Sequence, residues 1–169
     1  MDLGSSAPQG SIDSARLIMR VLQQDVVLAI TNGIRMDDWA EDYPADGDRA
    51  VAQFLKKEAP GDKGVEPWVH YQVVERSTDE VIGGIGFKGP PDDDREVEIG
   101  YGIVPSRQGF GYATEAVLCM ADFAFRQDRL SSIVAKTDPD NVASRRVLEK
   151  SGFEEIGRDG YFHYRLEPS

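Results

Sequence analysis

The stretch "EIGYGIVPSRQGFGYATEAV", Glu98–Val117, changes character twice within twenty residues. Up to Val104 the apolar residues Ile99, Tyr101 and Ile103 recur at every second position, the period of a strand, and Pro105, which cannot donate to a ladder, ends it. From Gly111 to Arg126 the period becomes helical, with Ala113, Ala116, Val117, Met120, Phe123 and Ala124 on one stripe. Between the two lie Gly109 and Gly111, two glycines within three positions. Glycine lets successive N–H groups turn inward with no Cβ in the way. The first four amides of a helix lack intrahelical acceptors and sit at the positive end of its dipole, so such a loop can grip a phosphate. A loop that only connects has the same composition, and this stretch alone leaves both readings open.

Working outward, "ARLIMRVL" (15–22) reads as a strand and "QQDVVLAITNG" (23–33) as a short helix stopped by Asn32 and Gly33. "DRAVAQFLKKEA" from Asp48 reads as a second helix burying Ala50, Val51, Phe54 and Leu55. "PWVHYQVVER" (67–76) and "VIGGIGF" (81–87) flank the polar "STDE", a hairpin signal. After the long helix come a strand at "SSIVAKT" (131–137), a helix in "NVASRRVLEKSG" (141–152) closed by Gly152, and a hairpin in 153–167 turned at Asp159 and Gly160. Hairpin strands mixed with strand–helix–strand crossovers predict an α/β or α+β fold: a mixed, mostly antiparallel central sheet with helices on both faces. The length suits one domain over 14–169, and residues 1–13, rich in Gly, Ser, Ala, Pro and Gln at the start, read as a flexible tail.

Nineteen Lys and Arg against thirty Asp and Glu give a net charge of −11, which disfavours nucleic acid and favours a cationic partner. Acidic residues crowd into Asp37–Asp48 and Asp92–Asp94, either as solvated loop surface or as a fringe drawing amines to a site. No apolar run approaches a membrane span, and residues 1–11 lack the layout of a secretion signal, so no membrane role and a cytoplasmic location are expected. The single cysteine, Cys119, lies in the apolar stretch "AVLCMADFAF" and reads as a small core residue, and His70 and His163 are too far apart in sequence to suggest a metal site or a triad. "GIGFKG" (84–89) formally spells the dinucleotide fingerprint, but "PPDDD" follows where a helix would have to open, so it reads as a strand end.

Gln108-Gly109-Phe110-Gly111-Tyr112-Ala113 resembles the Q/R-x-x-G-x-G/A signature of the GNAT superfamily of acyl-CoA-dependent N-acetyltransferases. "DPDNVASRRVLEKSGF" is similar to that family's second motif, with Asn141, Ser144, Val147, Leu148 and Gly152-Phe153 at matching spacing. The resemblance runs from Ala15 to the C-terminus, and the branch it points to contains ribosomal-protein-alanine N-terminal acetyltransferases. It implies the GNAT fold, in which the central strand and the next splay apart to admit the pantetheine arm of acetyl-CoA.

On that resemblance, main-chain groups at Ile103 and Val104 would pair with the arm. The N–H groups of Gln108, Gly109, Phe110, Gly111, Tyr112 and Ala113 would hold the pyrophosphate, with the Thr114 hydroxyl and, as a charge partner, Arg107. No metal is implied. An amine attacks the thioester directly, which needs a base and a donor to the leaving sulfur. Glu98 matches the family's base position; a structural ion pair is the other reading. The family's usual donor tyrosine is replaced by Leu148, which turns attention to Ser144, whose place at a helix start also suits plain capping, and then to Tyr101. Asn141 would cap that helix, touch the cofactor, or both. The acceptor would be a protein N-terminus, the choice the branch favours, or a small amine, with Gly33–Pro44 shaping its pocket. A monomer or a homodimer would serve equally. A non-catalytic acyl-CoA-binding module is the alternative.

Overall fold

The computed structural model describes residues 12–58, 66–127 and 129–169. Among these residues eight strands form one sheet in the order β1-β2-β3-β4-β5-β6-β8-β7. They are β1 (Ile12–Asp13), β2 (Leu17–Val21), β3 (His70–Glu75), β4 (Glu80–Phe87), β5 (Glu96–Ile103), β6 (Ser132–Thr137), β7 (Glu154–Arg158) and β8 (Phe162–Leu166). Every neighbouring pair is antiparallel except β5–β6. Four helices, α1 (Gln24–Thr31), α2 (Asp46–Lys57), α3 (Tyr112–Gln127) and α4 (Val142–Lys150), complete the mixed α/β architecture. Among the described residues, no helix is long and apolar enough to cross a membrane.

Two expectations need correction. Ile12 and Asp13, assigned by composition to the tail, pair with Met19 and Ile18 as β1, and Ile12 is buried; the rest of that tail, 1–11, lies outside the described residues. Arg76 reinforces the edge from the far side, donating to Ser14 O (3.1 Å) and pairing with Asp13. In α2 the buried residues are Ala52 and Leu55, whereas Phe54 stands 59% exposed. The helix begins at Asp46 after Ala45, two residues ahead of the sequence reading, and its inward face carries positions 48, 51, 52 and 55 at helical spacing. Asp48 therefore turns toward the sheet.

Close approaches explain the glycines of β4. A Cβ on Gly83 would lie 2.2 Å from Gly102 O, one on Gly86 2.7 Å from the His70 Cα, and one on Gly84 2.6 Å from Asp48 Oδ1. "GIGFKG" is thus strand, pressed by its neighbours, as its sequence context suggests. Cys119 is half-buried on α3, with its thiol donating to Asp13 O at 3.2 Å, and burial pushes its pKa up to about 11, so it is a poor nucleophile.

The feature that positions the site is the way β5 parts from β6. The two pair in parallel only at Glu96, Val97 and Glu98, opposite Ser132, Ile133 and Val134. On its other side β5 stays paired with β4 as far as Ile103. The Lys88 N–H donates to Glu98 O and the Val104 N–H to Ile82 O, each at 2.9 Å, so the even-numbered residues of β5 turn their peptide groups to β4. By the same alternation Tyr101 and Ile103 turn theirs to the edge where β6 has diverged.

Candidate active site

A cleft of about 370 Å³ opens along that edge. Its walls are Tyr101–Ile103 of β5, the glycine loop with the first turn of α3, and the start of α4. The loop follows a single 3-10 turn, Pro105–Arg107, and reaches α3 through Gly109 (φ +86°) and Gly111 (φ +82°). Both sit in the left-handed region that only glycine occupies without strain. With no side chain at either position, the main chain leading into α3 borders the cleft, and the first amides of the helix make up its positive end.

Of the residues expected to hold the cofactor, Ile103, Gln108, Gly109, Gly111, Tyr112, Ala113, Thr114 and Asn141 line this cleft, and Val104 and Phe110 do not. Val104 is fully buried with its amide spent on Ile82 O, and the Phe110 ring is 61% exposed. Gln108 answers one expected orphan itself: its Nε2 donates to Ile103 O at 2.8 Å, and its own amide donates to Pro105 O. The main-chain groups left facing the cleft on β5 are therefore those of Tyr101 and the N–H of Ile103. The Tyr112 ring lies under the Arg16 guanidinium, 4.3 Å away, and beside the Phe110 ring of the loop. Arg107 is committed elsewhere, to Glu75 at 3.2 Å and Glu80 at 2.6 Å, and braces β3 and β4 instead of standing free for a phosphate.

At the opposite wall Asn141 caps α4, accepting the Ser144 N–H at 3.1 Å. The Ser144 hydroxyl meets the Tyr101 hydroxyl at 2.9 Å, and the phenol also donates to Ser144 O at 3.1 Å. Burial pushes the Tyr101 pKa up to about 12, which keeps the phenol protonated at neutral pH and able to donate. Leu148, at the family's tyrosine position, is fully buried and faces the core.

A second cavity, of about 240 Å³, lies across β5 and shares Tyr101, Gly102 and Ile103 with the cleft. Gly100 and Gly102 give it bare main chain on the β5 side, and Lys88 lines its rim. Lys88 is ion-paired with Glu98, which occupies the same face of β5 two residues from Gly100. No group of three or more His, Cys, Asp or Glu placed to hold a metal occurs among the described residues.

A parted parallel pair of strands, a glycine-opened helix mouth and a hydroxyl pair on the facing helix make up this site, and the family described as "Acetyltransferase (GNAT) domain" matches residues 16–154. The chain belongs to the GNAT acetyltransferase family. It is 36% identical over 93 residues to the uncharacterized N-acetyltransferase YjdG of Bacillus subtilis, covering 55% of this chain and 54% of that protein. The chain spans about half the length of this and two further Bacillus relatives. The ribosomal-protein-S5-alanine acetyltransferase of Vibrio fischeri shares the fold at a TM-score of 0.64 and 18% identity, covering 93% of this chain and 96% of its own. RimJ of Mycobacterium smegmatis, solved in complex with CoA-disulfide, does so at 0.60 and 22%, covering 89% and 81%.

Sequence reasoning missed three residues of this GNAT site. Arg146 and Lys150 project into the cleft from α4, and neither has an ion-pair partner among the described residues. Their i, i+4 spacing on a helix already tied to the site by Asn141 was the available signal. Asp48 lines the second cavity, and its pKa is pushed up to about 6 by burial, against the pull of the Ala45 N–H and the Arg49 charge.

The loop geometry makes a direct prediction. Gly111→Val puts a β-branched residue at φ +82°, where strain on the order of 1–3 kcal/mol pulls the loop out of shape. A Cβ there would meet only Arg16 at 3.5 Å, an ordinary contact, so the damage is to the main-chain angle and the helix mouth, with little crowding of the core. Calorimetric titration is expected to show the acetyl-CoA dissociation constant raised at least ~tenfold, about 1.4 kcal/mol. An unchanged constant refutes this placement of the phosphates.

Proposed function

We propose that this chain transfers the acetyl group of acetyl-CoA to a primary amine by direct attack. The observation that carries the reading is the cleft where β5 leaves β6: it combines unpaired main chain on one wall, helix-mouth amides on another and a protonated hydroxyl pair on the third. The residues present suit the cofactor. Tyr101 and Ile103 offer main-chain partners to an amide-bearing arm, Gly109, Gly111, Tyr112 and Ala113 with Thr114 suit a pyrophosphate, and Arg146 and Lys150 suit further phosphate oxygens. Bound there, acetyl-CoA supplies an activated carbonyl and a thiol leaving group.

The chain's own groups then divide the work. The second cavity delivers the amine to the bare face of β5 at Gly100 and Gly102, across the strand from the cleft. Glu98, on the same face of β5, takes the proton that the amine nitrogen loses as the N–C bond forms. As the C–S bond breaks, the Tyr101–Ser144 pair returns a proton to sulfur. The module alternative draws on the missing tyrosine at Leu148 and on the open assignment of the base, and the donor pair in the cleft supports turnover against the first of these. The test is acetyl-CoA with a panel of amines, following free thiol and identifying the acetylated product by mass. Tight cofactor binding with no thiol from any amine would favour the module.

The cations on α4 give a second measurement. Each exposed contact is worth on the order of 1 kcal/mol. Arg146→Glu is therefore expected to weaken acetyl-CoA about fivefold and to flatten the dependence of affinity on salt. Equal affinity and an equal salt slope would place the phosphates elsewhere.

A further inference from the structure

A row of cross-strand partners runs along one face of the sheet toward the second cavity. Arg20 of β2 lies opposite Gln72 of β3, Gln72 opposite Gly84 of β4, and Gly84 opposite Gly102 of β5. The first two positions are polar and the last two are bare. Tyr43, in the segment between α1 and α2, lines the cavity together with Gly84 and Gly102. Its ring packs edge-on against Trp39, with centroids 5.2 Å apart, and Arg35 donates to its main-chain oxygen at 2.7 Å, so the side chain is held in place. Tyr43 and Gln72 are both fully buried.

The hydrogen bonds along this row run in one direction. Arg20 can only donate; it pairs with Asp38 and gives its Nε hydrogen to Gln72 Oε1 at 3.1 Å. That fixes the amide, so the Gln72 Nε2 donates to the Tyr43 hydroxyl at 3.3 Å. The phenol oxygen therefore accepts, and its own proton meets no hydrogen-bond acceptor among the described residues. Asp48, in the same cavity, has Oδ2 on the Ala45 N–H at 3.0 Å and Oδ1 over Gly84. Burial, and after it the Asp48 charge, raise the Tyr43 pKa, so the phenol stays protonated at neutral pH. A buried donor left without a partner is costly, and the open cavity is where this one can find it.

From this directed chain we infer that Tyr43 determines acceptor specificity: its hydroxyl donates to an oxygen that the acceptor carries besides its reacting nitrogen. The inference rests on the N-acetyltransferase reading above and narrows the acceptor to amines bearing a carbonyl-type oxygen. The two ends of the acceptor are read separately, the neutral nitrogen at the bare face of β5 and the oxygen toward β3. An amide is the best carrier, because its N–H also suits Asp48, which stands over Gly84 between the two ends. A hydrocarbon of the same shape offers neither group and leaves the phenol unpaired.

The experiment pairs amides with alkylamines of the same shape: glycinamide with isobutylamine, β-alaninamide with isoamylamine, and 4-aminobutanamide with 4-methylpentylamine. The pairs step the oxygen away from the nitrogen one carbon at a time. Wild type is compared with Tyr43→Phe, which keeps the ring and removes the donor, and with Gln72→Glu. Glutamate still accepts from Arg20 but also from the phenol, so it keeps the Tyr43 hydroxyl and turns its proton away from the cavity. Taking the ratio of kcat/KM within each pair, and comparing it between proteins, cancels differences in amine basicity. In at least one pair both variants are expected to lower the amide-to-alkyl ratio at least ~tenfold, with the acetyl-CoA KM unchanged. If Tyr43→Phe does not fold, Gln72→Glu alone decides. Ratios that stay as in the wild type in every pair, equal losses for amides and alkylamines, or a fall in Tyr43→Phe that Gln72→Glu does not share would overturn the inference and leave the N-acetyltransferase reading standing. Thiol release with none of the amines would instead defeat that reading, and this one with it.

Discussion

Glu98→Gln is expected to lower kcat by about 10²-fold while leaving the dissociation constant of acetyl-CoA as it was. Glutamine preserves the volume of the side chain and an oxygen for Lys88, so the rim of the acceptor cavity keeps its shape. What disappears is the capacity to take a proton from the attacking nitrogen. A purely structural Glu98 makes the opposite forecast. Its pair with Lys88 is partly exposed, and pairs of that kind are worth between nothing and about 1 kcal/mol. In that case the variant would melt slightly earlier and turn over normally. Measuring kcat across pH together with the melting temperature separates the two, and full activity at every pH removes Glu98 from the mechanism.

Loss of both hydroxyls at the Tyr101–Ser144 contact should be comparably severe. Each group sits within hydrogen-bond reach of the other and borders the same cleft, so each can replace the other in part. Tyr101→Phe and Ser144→Ala are therefore expected to be mild singly and to act non-additively, with the double variant slowed by about 10²-fold. Single-turnover release of thiol is the measurement. Capping alone cannot account for such a loss, because the Asn141 side chain accepts from the Ser144 main chain, which Ser144→Ala leaves in place. A thioester of a more acidic thiol needs less help to depart, so it should suffer less in the double variant. Equal losses with both donors would mean that the pair organises the cleft without giving up a proton.

The glycine loop, the cap at Asn141 and the closing hairpin could be read from the sequence because each is a local event, written in turn residues and helix-start chemistry. The inward turn of Asp48 could not. In an acidic crowd from Asp37 to Asp48, one carboxylate looks like the next until the phase of α2 is known, and an inward face centred on positions 50, 51, 54 and 55 instead of 48, 51, 52 and 55 is turned by about 80° at 3.6 residues per turn. The same error placed Phe54 inside. Arg107 lines the cleft, and the commitment of its guanidinium to two carboxylates was hidden for a different reason. Glu75 and Glu80, which hold it, lie some 30 positions upstream, and only the β3–β4 pairing brings them to it. Gln108 lay within the recognised motif, but the reach of its side chain back to Ile103 is a matter of rotamer, which periodicity does not encode.

The three register positions joining β5 to β6 carry a mechanical consequence. They form the seam between a five-strand half and a three-strand half, and the crossover through α3 is the chain's own tie across it. A ligand held in the gap as proposed would act as mortar, touching β5 on one side and α4 on the other, so part of the rigidity needed to aim a nucleophile would arrive with the substrate. On that reading the sheet would be sturdiest when it is about to work.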